Sequence, residues 1–167
     1  MIAQIRVDDR LIHGQVALVW TKELNTTRII VANAHAVESD ALRMTLSMGT
    51  PAGQKLLVKD VPGACKIAND PRANDMRIFA LTNCVRDALE FVKGAKGQVE
   101  TVNVANVGRF DKSDPATQVS LCSTIMLNPD ELAAAKELCE QSIPVYHQLI
   151  PSDAKSPIAD LIKKAGK

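Results

Sequence analysis

The sequence predicts an α/β fold: a single open, mainly parallel twisted sheet of six or seven strands with helices on both faces. Three observations carry this expectation. Short segments rich in Ile and Val alternate with amphipathic helical patterns from end to end, the order that produces right-handed βαβ crossovers. Aromatic residues make up only 3% of the chain, so the core is built from Val, Ile, Leu, Ala and Met, as in sheets whose central strands are apolar on both faces. With 167 residues the chain is long enough for one ordinary core and short for two. No linker, repeat or low-complexity segment divides it, so residues 1–167 are expected to form one domain.

The elements follow in order. Ile2–Arg6 is a first strand, and Val16, Val19, Trp20 and Leu24 then share one face of a helix over Val16–Leu24. Arg28–Ala32 and Lys55–Val58 are apolar strands flanking a helix at Glu38–Met48, which Pro51 and Gly53 close. A helix at Pro62–Ala68 leads to a strand at Arg77–Leu81. A helix at Val85–Lys93, ended by Gly94 or Gly97, leads to a strand at Thr101–Val104. A weaker strand lies near Val119–Ile125. Asn128 and Pro129 supply a helix cap and first position for Pro129–Gln141, with Asp130 and Glu131 in its first turn. Val145–Leu149 and a helix at Ser156–Lys164 complete the pattern.

Composition excludes several function classes. The net charge is +1 with both signs mixed along the chain, and no basic block interleaved with aromatics points to nucleic acid. The longest apolar runs reach about a quarter of a bilayer span. The N-terminus opens into a strand pattern without a basic and apolar leader, so a cytoplasmic protein is expected. Cys65, Cys84, Cys122 and Cys139 are widely spaced, without a C-x-x-C pair. They read as reduced, mostly buried small hydrophobes.

Function concentrates in Arg6–Val16, which reads R-V-D-D-R-L-I-H-G-Q-V. His13 stands where the first strand hands over to the first helix, beside unpaired backbone N–H groups and the positive end of the helix dipole. Such a place suits an anion, phosphate above all. Gly14 removes a Cβ where a ligand can approach. Arg10 and Arg6 supply forked donors to phosphate oxygens, and Asp8 and Asp9 can bond an imidazole N–H or hold an arginine. A neutral imidazole is a nucleophile near neutral pH, and phosphoryl transfer needs little beyond alignment and neutralisation of the equatorial oxygens. No G-x-x-x-x-G-K-[ST] or G-x-G-x-x-G follows the first strand, which argues against nucleotide sites. His13, His35 and His147 are too isolated for a zinc set. His35, after the second strand, reads as a surface residue or as one bordering the site, and His147 as structural.

The motif R-V-D-D-R-L-I-H-G-Q-V closely resembles that of the IIB component of the mannose/fructose/sorbose family of the bacterial phosphoenolpyruvate-dependent sugar phosphotransferase system. I-I-V-A-N after the second strand, M-G-T-P-A-G-Q-K-L before the third and V-N-V-A-N-V-G after the fifth extend the resemblance over essentially the full length. It implies that His13 accepts a phosphoryl group, on Nδ1, from a phosphohistidine of the IIA component. The group then passes to a sugar held by the membrane components IIC and IID. It also implies that Arg10 assists transfer, that no nucleotide, metal or other cofactor takes part, and that the chain sits at the inner face of the cell membrane through IIC and IID. Two departures stand out: Ala34-His35 follows Asn33 where the family commonly has an acid, and Ala105-Asn106 replaces a usual glycine pair, with Gly108 further along.

The expected catalytic residues are therefore His13 and Arg10. Phosphate binding falls to Arg6, Asp9, Gly14 and Gln15, with backbone N–H groups at Gly14 and Gln15 as the cradle and Asp9 orienting the ring or Arg10. Two other readings stay open at this point. One is a histidine-phosphatase-like hydrolase, although that family normally has arginine where Ile12 precedes the histidine. The other is a non-catalytic module that senses phosphorylation. The sugar is not legible, and the oligomeric state is open, a homo-oligomer included.

Overall fold

The computed structural model describes residues 1–167, the side chain of Gln15 excepted. Seven strands form one sheet in the order β3-β2-β4-β1-β5-β8-β9. They are β1 (Ile2–Asp8), β2 (Arg28–Ala32), β3 (Lys55–Lys59), β4 (Ile78–Thr82), β5 (Val102–Asn106), β8 (Val145–His147) and β9 (Ser156–Pro157). All pair in parallel except β8 with β9, so the expected open, mainly parallel sheet is present. The weak strand expected near Val119–Ile125 is instead a separate antiparallel hairpin of β6 (Val119–Cys122) and β7 (Ile125–Leu127).

Helices cover both faces. Against one lie α1 (Gly14–Glu23), α2 (Ala34–Glu38) and α3 (Asp40–Met48), which bury Ala17, Trp20, Ala36 and Leu46 on Ile29, Val31, Phe79 and Leu81. The helix expected over Glu38–Met48 is α3, which starts two residues later because Ser39 is extended and its side chain accepts from the Leu42 N–H; the short α2 before it was not expected. Against the other face lie α4 (Val61–Ala68), α5 (Val85–Gly94), α6 (Pro129–Cys139) and α7 (Ile158–Lys164), packed on Ile5, Val7, Ile30, Ala80 and Val104. The register of β1 on β4 shifts between Ile2 and Gln4. This irregularity lets Ile2 and Ile5, three apart, join the same core cluster.

Two connections leave the carboxyl ends of neighbouring strands for opposite faces: from β1 into α1, and from β4 into α5. That divergence opens a crevice at the end of β1, the usual place for a site in an open α/β sheet. No helix among the described residues is long and apolar enough to cross a membrane.

Candidate active site

The first strand runs two residues further than its pattern suggests, through Asp8. Arg6 and Asp8 therefore project from the same face of β1, beneath α1. Both are buried, at 1% and 0% side-chain exposure. Arg6 lies over the Trp20 ring, 5.4 Å from its centroid. Its Nε and Nη2 donate to Asp8 Oδ2 at 3.4 and 3.3 Å, and its Nη1 donates to the carbonyls of Gln148 and Leu149.

Asp8 is the hub of this network. Opposite it on β5 stands Asn106, whose Nδ2 donates to Asp8 Oδ2 at 3.1 Å. The backbone N–H of Arg10 donates to the other oxygen at 3.2 Å. His13 Nε2 lies 3.0 Å from Asp8 Oδ2. Burial opposes ionisation of Asp8, but the His13 hydrogen bond, the Arg6 charge and the Asn106 amide outweigh it. Its carboxyl is held below the usual range. An ionised carboxylate can only accept, so Nε2 carries the imidazole proton and Nδ1 keeps the lone pair. Among the described residues Nδ1 has no hydrogen-bond partner, and the side chain is 18% exposed.

A tight turn delivers His13 to this position. Leu11 N–H donates to Asp8 carbonyl at 2.8 Å, and Leu11 adopts φ 56°, a left-handed conformation that costs a non-glycine residue about 1–2 kcal/mol. Packing of Leu11 and Ile12 beside Trp20 and Leu46 holds the turn. His13 is then the N-cap of α1, extended at φ −152°, and its side chain makes no cap bond; the first turn holds no acid. Gly14 follows at φ +46°, where a Cβ would meet nothing within 4 Å. The glycine serves the backbone conformation and leaves the first-turn N–H groups uncovered, the arrangement that receives an anion. Gln15 belongs to this turn, but its side chain lies outside the described residues.

Two expectations need correction. Arg6 does not reach the surface, because β1 continues past it and its guanidinium is committed to Asp8 and two carbonyls. It supports the site from below. Asp9 touches neither the ring nor Arg10: its Oδ2 accepts from the Arg109 backbone N–H at 3.1 Å. Burial pushes its carboxyl upward, against the pull of that N–H and the Arg109 charge. Asp9 thereby pins the loop after β5, which Gly108 clamps on its far side. At φ +97° a Cβ on Gly108 would stand 2.0 Å from the Met126 carbonyl oxygen of β7. Arg10 is exposed on the turn.

Asp8 was one of two acids considered for the imidazole N–H, but the orienting role was expected of Asp9, and Asn106 was given no role. Asp8 was within the motif, but nothing in one sequence separates it from Asp9. Asn106 stood out only as a departure from the family pattern, and its bond to Asp8 becomes visible once β1 and β5 are neighbours. His35 lies exposed on α2, away from any side-chain hydrogen bond among the described residues, and His147 is in β8.

Residues 2–167 match the family model of the sorbose-subfamily IIB component of the phosphotransferase system. The chain belongs to this family. It is 52% identical over 163 residues, 97% of this chain and 99% of the relative, to a probable phosphotransferase enzyme IIB component of Streptococcus pyogenes serotype M6. It is 32% identical to the sorbose-specific EIIB component of Lacticaseibacillus casei, covering 95% of this chain and 93% of that one. The crystal structure of the IIB domain of the sorbose permease of Klebsiella pneumoniae superposes with a TM-score of 0.88 at 29% identity, covering 98% and 97% of the two chains. The activity of this IIB component is phosphohistidine-mediated sugar phosphotransfer.

Proposed function

We propose that His13 is the phosphoryl carrier and that it reacts through Nδ1. The observation that carries this reading is the 3.0 Å contact of Nε2 with the buried Asp8 carboxylate. It fixes the tautomer, leaves the Nδ1 lone pair as nucleophile, and places a negative charge where the ring becomes positive once Nδ1 is phosphorylated. The donor is a phosphohistidine of a IIA component: its N–P bond breaks as the bond to Nδ1 forms. The acceptor is a sugar hydroxyl presented by the IIC and IID membrane components, which hold the chain at the inner face of the membrane. Residues 1–167 act as one IIB domain throughout.

The remaining roles follow from position. Arg10, exposed and free of other side-chain partners among the described residues, bridges two phosphoryl oxygens. The N–H groups at the start of α1, around Gly14 and Gln15, cradle the third oxygen. Asp8 is the orienting group. Arg6 and Asn106 are positioning residues that act through Asp8, and Asp9 positions the adjoining loop. No step needs a metal or nucleotide, since these donors supply the neutralisation.

Arg10 provides the test. Arg10→Ala is expected to slow transfer from phosphorylated IIA by about a hundred- to a thousandfold, the usual cost of losing one donor to developing charge. Arg10→Lys should fall between it and the parent, because a point charge cannot bridge two oxygens. Rapid-quench transfer rates within twofold of the parent for Arg10→Ala would remove Arg10 from the site. Release of inorganic phosphate in place of onward transfer to sugar would favour a hydrolase.

A further inference from the structure

A second pair of reactive side chains lies beyond the His13 network. His147, at the end of β8, has Nδ1 2.8 Å from the Val104 carbonyl oxygen. A carbonyl has no proton to give, so Nδ1 carries the N–H and the neutral ring presents a bare Nε2. That nitrogen faces Cys122 Sγ at 3.8 Å. Thr124 also contacts the sulfur, Oγ1 to Sγ at 3.6 Å, but its hydroxyl proton is committed to the Ala105 carbonyl at 2.8 Å. The sulfur therefore meets two acceptors and no donor while the thiol keeps its proton. Once that proton moves to Nε2, the imidazolium N–H donates back to the thiolate, and Val104 holds the ring in place. Thiol, base and a third group that orients the base are the parts of an activated nucleophile.

The other three cysteines lack this arrangement. All four are free, and none is fully buried or fully exposed. Burial pushes the thiols of Cys65 and Cys139 up, and burial with the nearby Glu131 carboxylate pushes Cys84 to about 12.

We propose that Cys122 and His147 form a reactive thiol–imidazole pair, a modification site at which hydroperoxides oxidise the chain. The Cys122 proton passes to His147 Nε2, and a sulfur electron pair attacks one peroxide oxygen. The S–O bond forms as the O–O bond breaks. The departing oxygen takes the proton from His147 and leaves as water, or as an alcohol from an organic hydroperoxide. The sulfur is oxidised by two electrons to a sulfenic acid and the peroxide is reduced. The pair is wired to the His13 site through short contacts. Thr124 bonds the carbonyl of Ala105, next to Asn106, and His147 precedes Gln148, whose carbonyl receives Arg6.

The test uses the full reduced chain with hydrogen peroxide as probe and dimedone as sulfenic-acid trap, the adducts being followed over time by peptide mass spectrometry. Cys122 is expected to label about a hundredfold faster than Cys65, Cys84 and Cys139, the low end of what a positioned base contributes. His147→Gln should remove that advantage while leaving the other three rates unchanged. Labelling of Cys122 no faster than the others in the parent chain overturns the proposal without any variant. So does an unchanged Cys122 rate in His147→Gln. The readout is independent of phosphoryl transfer, so it stands or falls apart from the role of His13.

Discussion

Asparagine in place of Asp8 is expected to slow phosphoryl transfer by about 10⁴-fold, the scale seen when the carboxylate that fixes a catalytic imidazole tautomer becomes an amide. Four donor groups approach this carboxylate: the Arg6 guanidinium, the Asn106 amide and His13 Nε2 at Oδ2, and the Arg10 backbone N–H at Oδ1. An asparagine must turn its own NH₂ toward one side or the other, so in either orientation donor faces donor. With the oxygen toward Arg10, the ring loses its proton acceptor, Nε2 no longer holds its hydrogen, and the Nδ1 lone pair is no longer guaranteed. Transfer from phosphorylated IIA within tenfold of the parent rate would show that Asp8 does not govern the ring.

The same variant carries a pH signature. Asp8 titrates below its ordinary 3.8 in the native chain, so on acidification the unfolded chain takes up this proton first. The stability the carboxylate lends is therefore complete above about pH 5 and lost as pH falls through its native value. Denaturant titrations should show the gap between parent and Asp8→Asn constant from neutrality down to about pH 5 and narrowing below it.

The largest effect on stability is expected at Arg6. Arg6→Leu keeps an apolar stem on Trp20 but removes the charge beneath Asp8, leaving a carboxylate with 0% exposure without its counter-ion. Breaking a buried pair in this way costs about 3–5 kcal/mol. In a domain of this size that lowers the melting midpoint by roughly 6–20 °C. The carbonyls of Gln148 and Leu149 lose their donor as well. A double change, Arg6→Leu with Asp8→Leu, should recover much of the stability while abolishing transfer, because a buried ion pair contributes less than the cost of orphaning one member. A midpoint for Arg6→Leu within two degrees of the parent would refute the pairing.

These residues also show what one sequence discloses and what it conceals. The helical spacing of Val16 and Trp20 marked α1 and its buried face, where Trp20 is 2% exposed, although Val19, expected on that face, is 37% exposed. The second strand, Arg28–Ala32, was legible to the residue because both its faces are apolar and it is bounded by polar residues. Asn128 and Pro129 announced α6 through local cap chemistry, and Asn128 does accept from Glu131 N–H at 2.9 Å. Three features were hidden. Arg6 read as the last residue of the first strand with its guanidinium free for phosphate, and Asp8 as part of the turn beyond it, because the pair of acids breaks the apolar pattern. The structure buries them because they neutralise each other and Asp8 meets Asn106, 98 residues away, at the end of the neighbouring strand β5. The hairpin of β6 and β7 read as one weak strand, since its Ser123-Thr124 turn lacks the Gly, Pro, Asn or Asp that usually marks one. Ser39 starts α3 through its own cap bond to Leu42, a local signal that the expected boundary at Glu38 passed over, together with the short α2 before it.

The position of the phosphoryl group tests the reading of the site most directly. The ¹⁵N-histidine-labelled chain, phosphorylated by IIA, would be observed through long-range ¹H–¹⁵N and ³¹P correlations of its three imidazoles. Phosphorus bonded to Nδ1 of His13, with Nε2 still protonated and donating to Asp8, is the predicted result. Phosphorus on Nε2 of His13 would require the ring to abandon Asp8, and phosphorus on His35 or His147 would place the carrier elsewhere; either result would contradict it.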